Sequence, residues 1–360
     1  MSNTNPKAPR ILIMAAGTGG HVYPALSTAA YLVEQGWHID WLGTSNGIEQ
    51  RLVPAAGYQL HCIDISGLRG KGTLSLLGAP WRLIKSLWQA WLILGRLKPD
   101  VVLGMGGFIA GPGGLATFLR RTPLLIHEQN AVAGLTNKLL RPLSWRVMQA
   151  FAGTFKDGSV LTVGNPIRPD FAAHSDNQTH QANLNLLVVG GSLGALALNQ
   201  IIPKVLAALP TEIALQVRHQ CGPKHLQITQ EAYQQASVQG QVDAYIDDMP
   251  AAFAAADIII CRAGALTISE LAAAGKPAIL VPYPYAVDDH QTANAQILVA
   301  AGAAVLMPQA HMQVTSLEQA LLPLLTQPEL RAKMAQAALS VAQPQATAAV
   351  AKQCMEAVSG

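Results

Sequence analysis

Three glycine turns mark where chemistry is possible in this chain. Gly17-Thr-Gly-Gly-His21 follows the apolar run from Ile11 to Ala16 and opens a helical pattern near His21–Pro24. A strand, a glycine turn and a helix start together present backbone N–H groups and the positive end of a helix dipole to an anion. His21, at the helix start, suits a neutral general base; the alternative is a histidine that only completes the turn. Gly104-Met-Gly-Gly-Phe-Ile-Ala-Gly-Pro-Gly-Gly114 is the second turn, six glycines in eleven residues. Gly104, Gly106 and Gly107 are candidates to cradle a diphosphate, against a loop that is merely flexible. Gly190-Gly-Ser-Leu-Gly194, with Ser192 at its turn, is the third.

Other polar groups stand where strands end. His127-Glu-Gln-Asn130 follows the run that begins at Pro123, a position from which side chains reach the ligand crevice of a parallel sheet; a plain polar turn would look the same. Arg262-Ala-Gly-Ala-Leu-Thr-Ile-Ser-Glu270 joins another strand end to a helix. Glu270 there could accept both hydroxyls of a ribose, or serve only as a helix-start carboxylate favoured by the dipole. Asp288, Asp289 and His290 are consecutive, so their side chains diverge, and no further ligand cluster accompanies them; no metal site is expected.

These residues need buried parallel strands to position them. Apolar runs at 10–15, 38–42, 101–104, 123–127, 185–189, 258–261 and 278–282 alternate with helical patterns, which predicts two α/β domains with parallel sheets. The halves repeat one another. Asp100-Val-Val-Leu-Gly leads to Pro123-Leu-Leu-Ile as Asp257-Ile-Ile-Ile-Cys leads to Pro277-Ala-Ile-Leu, and two such halves suggest one ligand held between them. Asn165-Pro-Ile-Arg-Pro-Asp170 and the polar stretch from His174 to Gln181 read as the linker. The expected domains are residues 1–166 and 167–344, with a tail from Pro328 broken at Pro344 whose last helix, 345–360, packs back on the first domain. A dinucleotide fingerprint is absent: G-x-G-x-x-G would need glycine where Val22 stands, and no acidic residue follows Leu42-Gly-Thr. That argues against a nicotinamide oxidoreductase.

Hydrophobic content of 50% and charged content of 12% exclude a disordered chain. Residues 1–165 carry 15 Lys+Arg and 7 Asp+Glu, whereas residues 166–360 carry 9 and 14, so a net +3 conceals a basic first half and an acidic second. A basic half suggests an anionic partner. Four scattered cysteines, Cys62, Cys221, Cys261 and Cys354, point to a reducing compartment, and no run reaches the ~18 apolar residues of a membrane span. Residues 68–98 combine Arg69, Lys71, Arg82 and Lys85 with Leu77, Trp81, Ile84 and Trp88 at helical spacing, and with Leu87 and Trp91 beside them. The clustering of tryptophans and cations suits an interfacial helix on anionic lipid. The competing reading is a helix that packs this face on its own sheet.

Taken together, Gly17–Pro24, Ile65-Ser-Gly-Leu-Arg-Gly-Lys-Gly72, Gly104–Gly107, His127–Asn130, Gly164-Asn-Pro-Ile-Arg168, Gly190–Ala195, Arg262–Glu270 and Asp289-His-Gln291 closely resemble the MurG family, the N-acetylglucosaminyltransferases of bacterial peptidoglycan synthesis. The resemblance implies an α/β GT-B fold, two Rossmann-like domains facing across a cleft. It implies inverting transfer of N-acetylglucosamine from UDP-N-acetylglucosamine to the C4 hydroxyl of the N-acetylmuramic acid of lipid I. The product would be lipid II, made without metal or other cofactor. It further implies a peripheral enzyme on the cytoplasmic face of the bacterial inner membrane, with lipid I and an anionic membrane surface as partners and no nucleic acid.

By the same resemblance, Glu270 holds the ribose and the Ile246 backbone reads the uracil edge. Arg168, Ser192 and the Leu266–Thr267 turn hold the diphosphate side, and Ala265, Ile268 and Ser269 belong to the same substrate site. Asn130 and Gln291 hold the sugar, and Thr18, Gly19 and Gly20 close from the first domain. His21 is the candidate base, with Glu128 its competitor. The loop 282–289, Pro-Tyr-Pro-Tyr-Ala-Val-Asp-Asp, departs from the family pattern, which leaves sugar specificity less secure than the nucleotide. A UDP-N-acetylglucosamine 2-epimerase and a non-catalytic nucleotide-sugar-binding protein are the alternatives; the first would not need the basic, tryptophan-rich helix, and the second would leave a glycine-rich acceptor pocket without purpose.

Overall fold

Strand β1 (Arg10–Met14) leaves Ile11, Leu12, Ile13 and Met14 with no exposed surface. A strand apolar on both faces must have helices on both sides, and parallel pairing follows from the helical crossovers that supply them. The computed structural model describes residues 8–65, 79–156, 158–173 and 183–359. Leu77, Arg69, Lys71, the motif beyond Ile65 and the linker stretch 174–181 lie outside the described residues.

Two compact units are present, residues 1–168 with 345–360, and residues 169–344. The first contains β1, β2 (His38–Gly43), β3 (Gln59–Cys62), β4 (Val101–Gly104), β5 (Leu124–Glu128), β6 (Arg146–Gln149) and β7 (Leu161–Thr162) in the order β3-β2-β1-β4-β5-β6-β7. The second contains β8 (Leu184–Val189), β9 (Leu215–Gln220), β10 (Gln241–Asp243), β11 (Ile258–Cys261), β12 (Ala278–Leu280) and β13 (Ala304–Leu306) in the order β10-β9-β8-β11-β12-β13. Every pairing is parallel. Each sheet reverses its winding between two neighbours, β1 and β4 in one, β8 and β11 in the other. That switch point is where open α/β sheets bind ligands, beyond the carboxyl ends of the strands.

The apolar runs read from the sequence are the central strands. The strands not foreseen are mostly peripheral: β3 (Gln-Leu-His-Cys), β6 (Arg-Val-Met-Gln), β7, β9 (Leu-Gln-Val-Arg-His-Gln), β10 and β13. Nearer the edge a strand buries less of itself and can carry polar residues, so its pattern fades.

The tail forms helices Pro328–Ser340 and Ala346–Ser359 with Pro344 between them. Val350, Ala351 and Cys354 of the last helix join Val22, Ala25 and Ala29 of helix Gly19–Glu34 in one buried cluster of the first unit. That helix begins at Gly19, two residues before the expected start. His21 is therefore its third residue, inside the first turn.

Candidate functional site

The two glycine turns of the first unit meet because their strands pair. Met14 of β1 lies opposite Gly104 of β4, and the Met105 N–H donates to Met14 O at 2.8 Å. Gly107 then rides over the first turn: a β-carbon on it would lie 2.5 Å from Ala16 O. A β-carbon on Gly106 would lie 2.6 Å from His21 Nδ1. Both residues have φ near +100° or +85°, so side chains are excluded on two counts. The second turn is thus a packed platform under His21, and its glycines have a structural duty before any ligand arrives.

The first turn is braced from below by a group that the sequence did not single out. Glu49 is fully buried; its Oε2 accepts the Gly17 N–H at 3.1 Å, and its Oε1 accepts the Thr44 N–H and O–H at 3.0 and 2.6 Å. Gly17 therefore spends its N–H on protein. In helix Gly19–Glu34 the His21 and Val22 N–H groups donate to Thr18 O, whereas the first amides, those of Gly19 and Gly20, precede any intrahelical acceptor and are the ones suited to an anion.

His21 is half-buried, and its Nδ1 stands 3.2 Å from Gln129 Oε1. Gln129 is the third residue of the His127–Asn130 motif. Its Nε2 donates to Met105 O at 2.7 Å, and its own carbonyl accepts from Asn165 Nδ2 at 3.1 Å. His127 is fully buried, and its Nε2 donates to Gly164 O at 2.9 Å; burial pulls its pKa down from 6.5 to about 4. The motifs 127–130 and 164–168 are therefore one assembly at the end of β5. Arg168, at its far end, lies over the Tyr23 ring at 5.1 Å, which places its guanidinium beside the helix that carries His21.

Glu128 does not share this arrangement. Its Oε1 accepts the Asn130 N–H at 3.1 Å and Asn130 Nδ2 at 3.3 Å, and its Oε2 accepts the Gly134 N–H at 3.0 Å and Asn137 Nδ2 at 2.8 Å. A carboxylate has about four lone-pair sites, and all are engaged. The group anchors the loop from 129 to 137 and, in this arrangement, has no lone pair to offer an acceptor hydroxyl. Asn130 is held by the same carboxylate.

In the second unit, the turns follow the corresponding strands, β8, β11 and β12. The Gly190 N–H donates to Gln220 O at 3.0 Å and the Gly191 N–H to Gln220 Oε1 at 3.1 Å, with Ser192 exposed beyond them. Ala265, Leu266, Thr267, Ile268 and Ser269 open helix Ala265–Ala274 after Gly264. Glu270 is that helix's sixth residue, beyond the first turn, so the dipole no longer explains it; it is nevertheless buried, as is Ile246. Gln291 Oε1 accepts the Tyr283 N–H at 2.8 Å. Arg262 spans the same loop, donating to Val281 O and Pro282 O at 3.1 Å each and to Gln309 Oε1 at 2.7 Å. Among the described residues no three His, Cys, Asp or Glu side chains stand together to hold a metal. Asp289 Oδ1 accepts from the Thr292 hydroxyl, and His290 Nδ1 donates to Val287 O.

Helix Ala79–Leu97 carries two apolar stripes. Ala90, Leu94, Leu87 and Trp91 pack into the first unit. Trp81, Ile84 and Trp88 face outward, 74%, 58% and 58% exposed, and so are not part of that core. Phe118 and Leu119 of helix Ala110–Leu119, which packs on helix Ala79–Leu97, and Leu135 and Leu139 of helix Leu135–Leu140 are also exposed. Lys85 is paired with Asp64 at 2.8 Å. No helix among the described residues is long and apolar enough to cross a membrane.

Comparison with known proteins gives a consistent result. Residues 11–149 match the model of the glycosyltransferase family 28 N-terminal domain, and residues 185–353 match that of the family 28 C-terminal domain. The chain is 52% identical over 352 residues to the UDP-N-acetylglucosamine–N-acetylmuramyl-(pentapeptide) pyrophosphoryl-undecaprenol N-acetylglucosamine transferase of Pseudomonas putida (strain W619), covering 97% of this chain and 98% of that one. It is 51% identical over 350 residues to the protein of the same name from Shewanella oneidensis, covering 96% and 97%. The crystal structure of Acinetobacter baumannii MurG superposes with a TM-score of 0.81 at 42% identity, covering 97% and 99% of the two chains. A UDP-GlcNAc 2-epimerase from Neisseria meningitidis superposes with a TM-score of 0.67 at 14% identity, covering 96% of this chain and 100% of that one, and shares the fold alone.

Proposed function

The chain belongs to glycosyltransferase family 28, and from that premise we propose how its residues divide the work of an N-acetylglucosaminyl transfer. It has the GT-B fold and is an N-acetylglucosaminyltransferase, moving N-acetylglucosamine from UDP-N-acetylglucosamine to lipid I, the undecaprenyl-diphosphate-linked N-acetylmuramyl pentapeptide, to give lipid II. The 2-epimerase reading is not favoured, because likeness to that activity stops at the fold.

In the proposed chemistry, the acceptor's C4 hydroxyl attacks the anomeric carbon of the donor sugar. The new C–O bond forms as the bond to UDP breaks, with inversion, and the hydroxyl proton passes to His21. UDP leaves with the bonding pair. Arg168 and the first amides of helix Ala265–Ala274 offset the charge on the departing diphosphate. The observation that carries this division of roles is the seat of the His21 ring on Gly106, at the head of the β1–β4 switch point. Glu128, with four donors on its carboxylate, is the anchor of the loop that presents Asn130.

On the second unit, Glu270 takes the ribose, the Ile246 backbone the uracil, Ser192 and residues 265–269 the diphosphate, and Gln291 the sugar. The bond from Tyr283 to Gln291 Oε1 supports that last role, since it turns the Gln291 amide by its oxygen and leaves the N–H₂ end to donate. On the first unit, the acceptor's diphosphate rests on the glycine turns. The outward stripe of Trp81, Ile84 and Trp88 lies on the anionic cytoplasmic leaflet that anchors the acceptor's tail.

The test is UDP release from UDP-N-acetylglucosamine with and without a lipid-linked acceptor. Release that requires the acceptor, together with a disaccharide product, is expected. Acceptor-independent UDP release with an epimerised sugar would overturn the reading.

A further inference from the structure

We infer that Gln129 is a positioning residue that fixes the His21 imidazole in the tautomer protonated on Nδ1, so that the lone pair lies on Nε2. This rests on His21 being the base.

Met105 fixes the orientation of the Gln129 amide. Its carbonyl oxygen can only accept, and it lies 2.7 Å from one end of the Gln129 carboxamide. Two oxygens at that distance would repel, so that end is the N–H₂ group. The amide oxygen is then the end that meets His21 Nδ1, at 3.2 Å. An amide oxygen has no proton to give. Nδ1 must be the donor, and a neutral imidazole protonated there carries its lone pair on the other nitrogen.

Turning the amide over would set its oxygen against Met105 O, with burial leaving no water to take the N–H₂ group's place. Gln129 is only 2% exposed, and its backbone is held by Asn165 Nδ2 on its carbonyl. Met105 is held in turn by its N–H bond to Met14 O. Gly106 closes the remaining side of the ring at Nδ1. The chain Met14–Met105–Gln129–His21 thus runs from the sheet to the imidazole, and the tautomer is set by the register of β1 on β4.

The consequence for transfer is direct. Nε2 takes the acceptor's hydroxyl proton, and the ring becomes an imidazolium. The Nδ1–H···Oε1 bond then gains charge assistance without a proton crossing it. A neutral amide steadies the imidazolium less than a carboxylate would, so Gln129 orients the base without making it strongly basic. A third residue that orients a catalytic histidine is a recurrent arrangement in acyl transfer; the amide here serves a glycosyl transfer.

The experiment is ¹⁵N NMR of histidine-labelled full-length protein above the imidazole titration, with kinetics alongside. His21 in the wild type should show a protonated Nδ1 and an unprotonated Nε2. In Gln129→Met, near in volume but with no amide, the signal should move toward the Nε2–H form that free imidazole prefers. The kcat should fall ~10–100-fold with KM for UDP-N-acetylglucosamine changed less than about threefold, a misorientation loss within the range of base catalysis. In Gln129→Glu, the acidic limb of kcat should move to higher pH. A wild-type His21 protonated on Nε2, or a Gln129→Met tautomer unchanged from wild type, would overturn the inference even if one variant failed to fold. A shifted tautomer with kcat unchanged would leave the positioning intact and remove His21 as the base, so the two readings fail separately.

Discussion

His21 and Gly106 share one surface: where a β-carbon would stand on Gly106, the imidazole Nδ1 is 2.6 Å away. The platform and the base are therefore a single structural unit, and a methyl group at 106 must push the ring aside. Gly106→Ala should lower kcat by ~10²-fold, the usual scale for an ångström of misplacement. It should also cost about 1–3 kcal/mol of backbone strain. Gly57→Ala is the control, because Gly57 also has positive φ, +82°, but nothing lies within 4 Å of its missing β-carbon. It should show the strain in its melting temperature and keep wild-type kcat. Equal kcat losses in both variants would uncouple Gly106 from His21.

Glu128→Gln separates an anchor from a base. A glutamine has one oxygen for four donors, so two of Asn130 N–H, Asn130 Nδ2, Gly134 N–H and Asn137 Nδ2 must face an N–H₂ group. Stability should drop by about 1–3 kcal/mol, and KM for the donor should rise as the loop loosens. The acidic limb of the kcat profile should persist. Its disappearance in Glu128→Gln, with the limb kept in His21→Gln, would make Glu128 the base.

Glu270 is buried in helix Ala265–Ala274, beyond that helix's first turn. Glu270→Ala should weaken UDP binding by ~1.5–3 kcal/mol, the size of hydrogen bonds to a charged group. Isothermal titration with UDP reads it directly, and unchanged affinity would remove Glu270 from the ribose site.

Trp81, Ile84 and Trp88 are largely exposed, with Trp88 stacked on Trp91, so replacing all three by serine should cost no more than about 1.5 kcal/mol, about 0.5 kcal/mol for each surface change. Binding to vesicles containing anionic phospholipid should fall sharply, since each buried apolar side chain is worth ~1.5–3 kcal/mol. Salt should weaken the remaining binding through its basic component. Wild-type vesicle affinity in the triple variant would place the membrane contact elsewhere.

His127 makes folding sensitive to acid. The unfolded chain takes up a proton there near pH 6.5, while the folded protein resists until about pH 4. Between those values the unfolded state binds more protons, so stability falls as pH drops through that window, by about 3 kcal/mol once below it. His127→Gln removes this contribution while keeping a donor for Gly164 O. Its urea-unfolding free energy should decline less from pH 7 to pH 4 than that of wild type; parallel declines would show that His127 is not the group responsible.

Much of this protein was determined locally. The central strands could be read directly because residues such as Ile11–Met14 and Ile258–Cys261 are apolar on both faces, a pattern that only burial on both sides tolerates. The glycine turns could be read because a positive φ and close approach demand glycine whatever the rest of the chain does. The peripheral strands could not, because β9 with Arg218 and β3 with His61 meet tertiary demands that differ along one strand. Nor could the role of a side chain that has several possible neighbours. Glu49 sits in a polar stretch with no periodic signal, yet folding buries it beneath Gly17. Glu128 and Gln129 are adjacent in a single motif, and only the approach of Asn137 on one side and Met105 with His21 on the other makes one a saturated anchor and the other the partner of the base. The apolar spacing of Trp81, Ile84 and Trp88 is the same whether a helix packs inward or outward. Which stripe faces the sheet was decided by where Ala90 and Leu94 found their core. Long-range contacts choose between locally equivalent alternatives, because the free energy that separates them comes from neighbours distant in the chain.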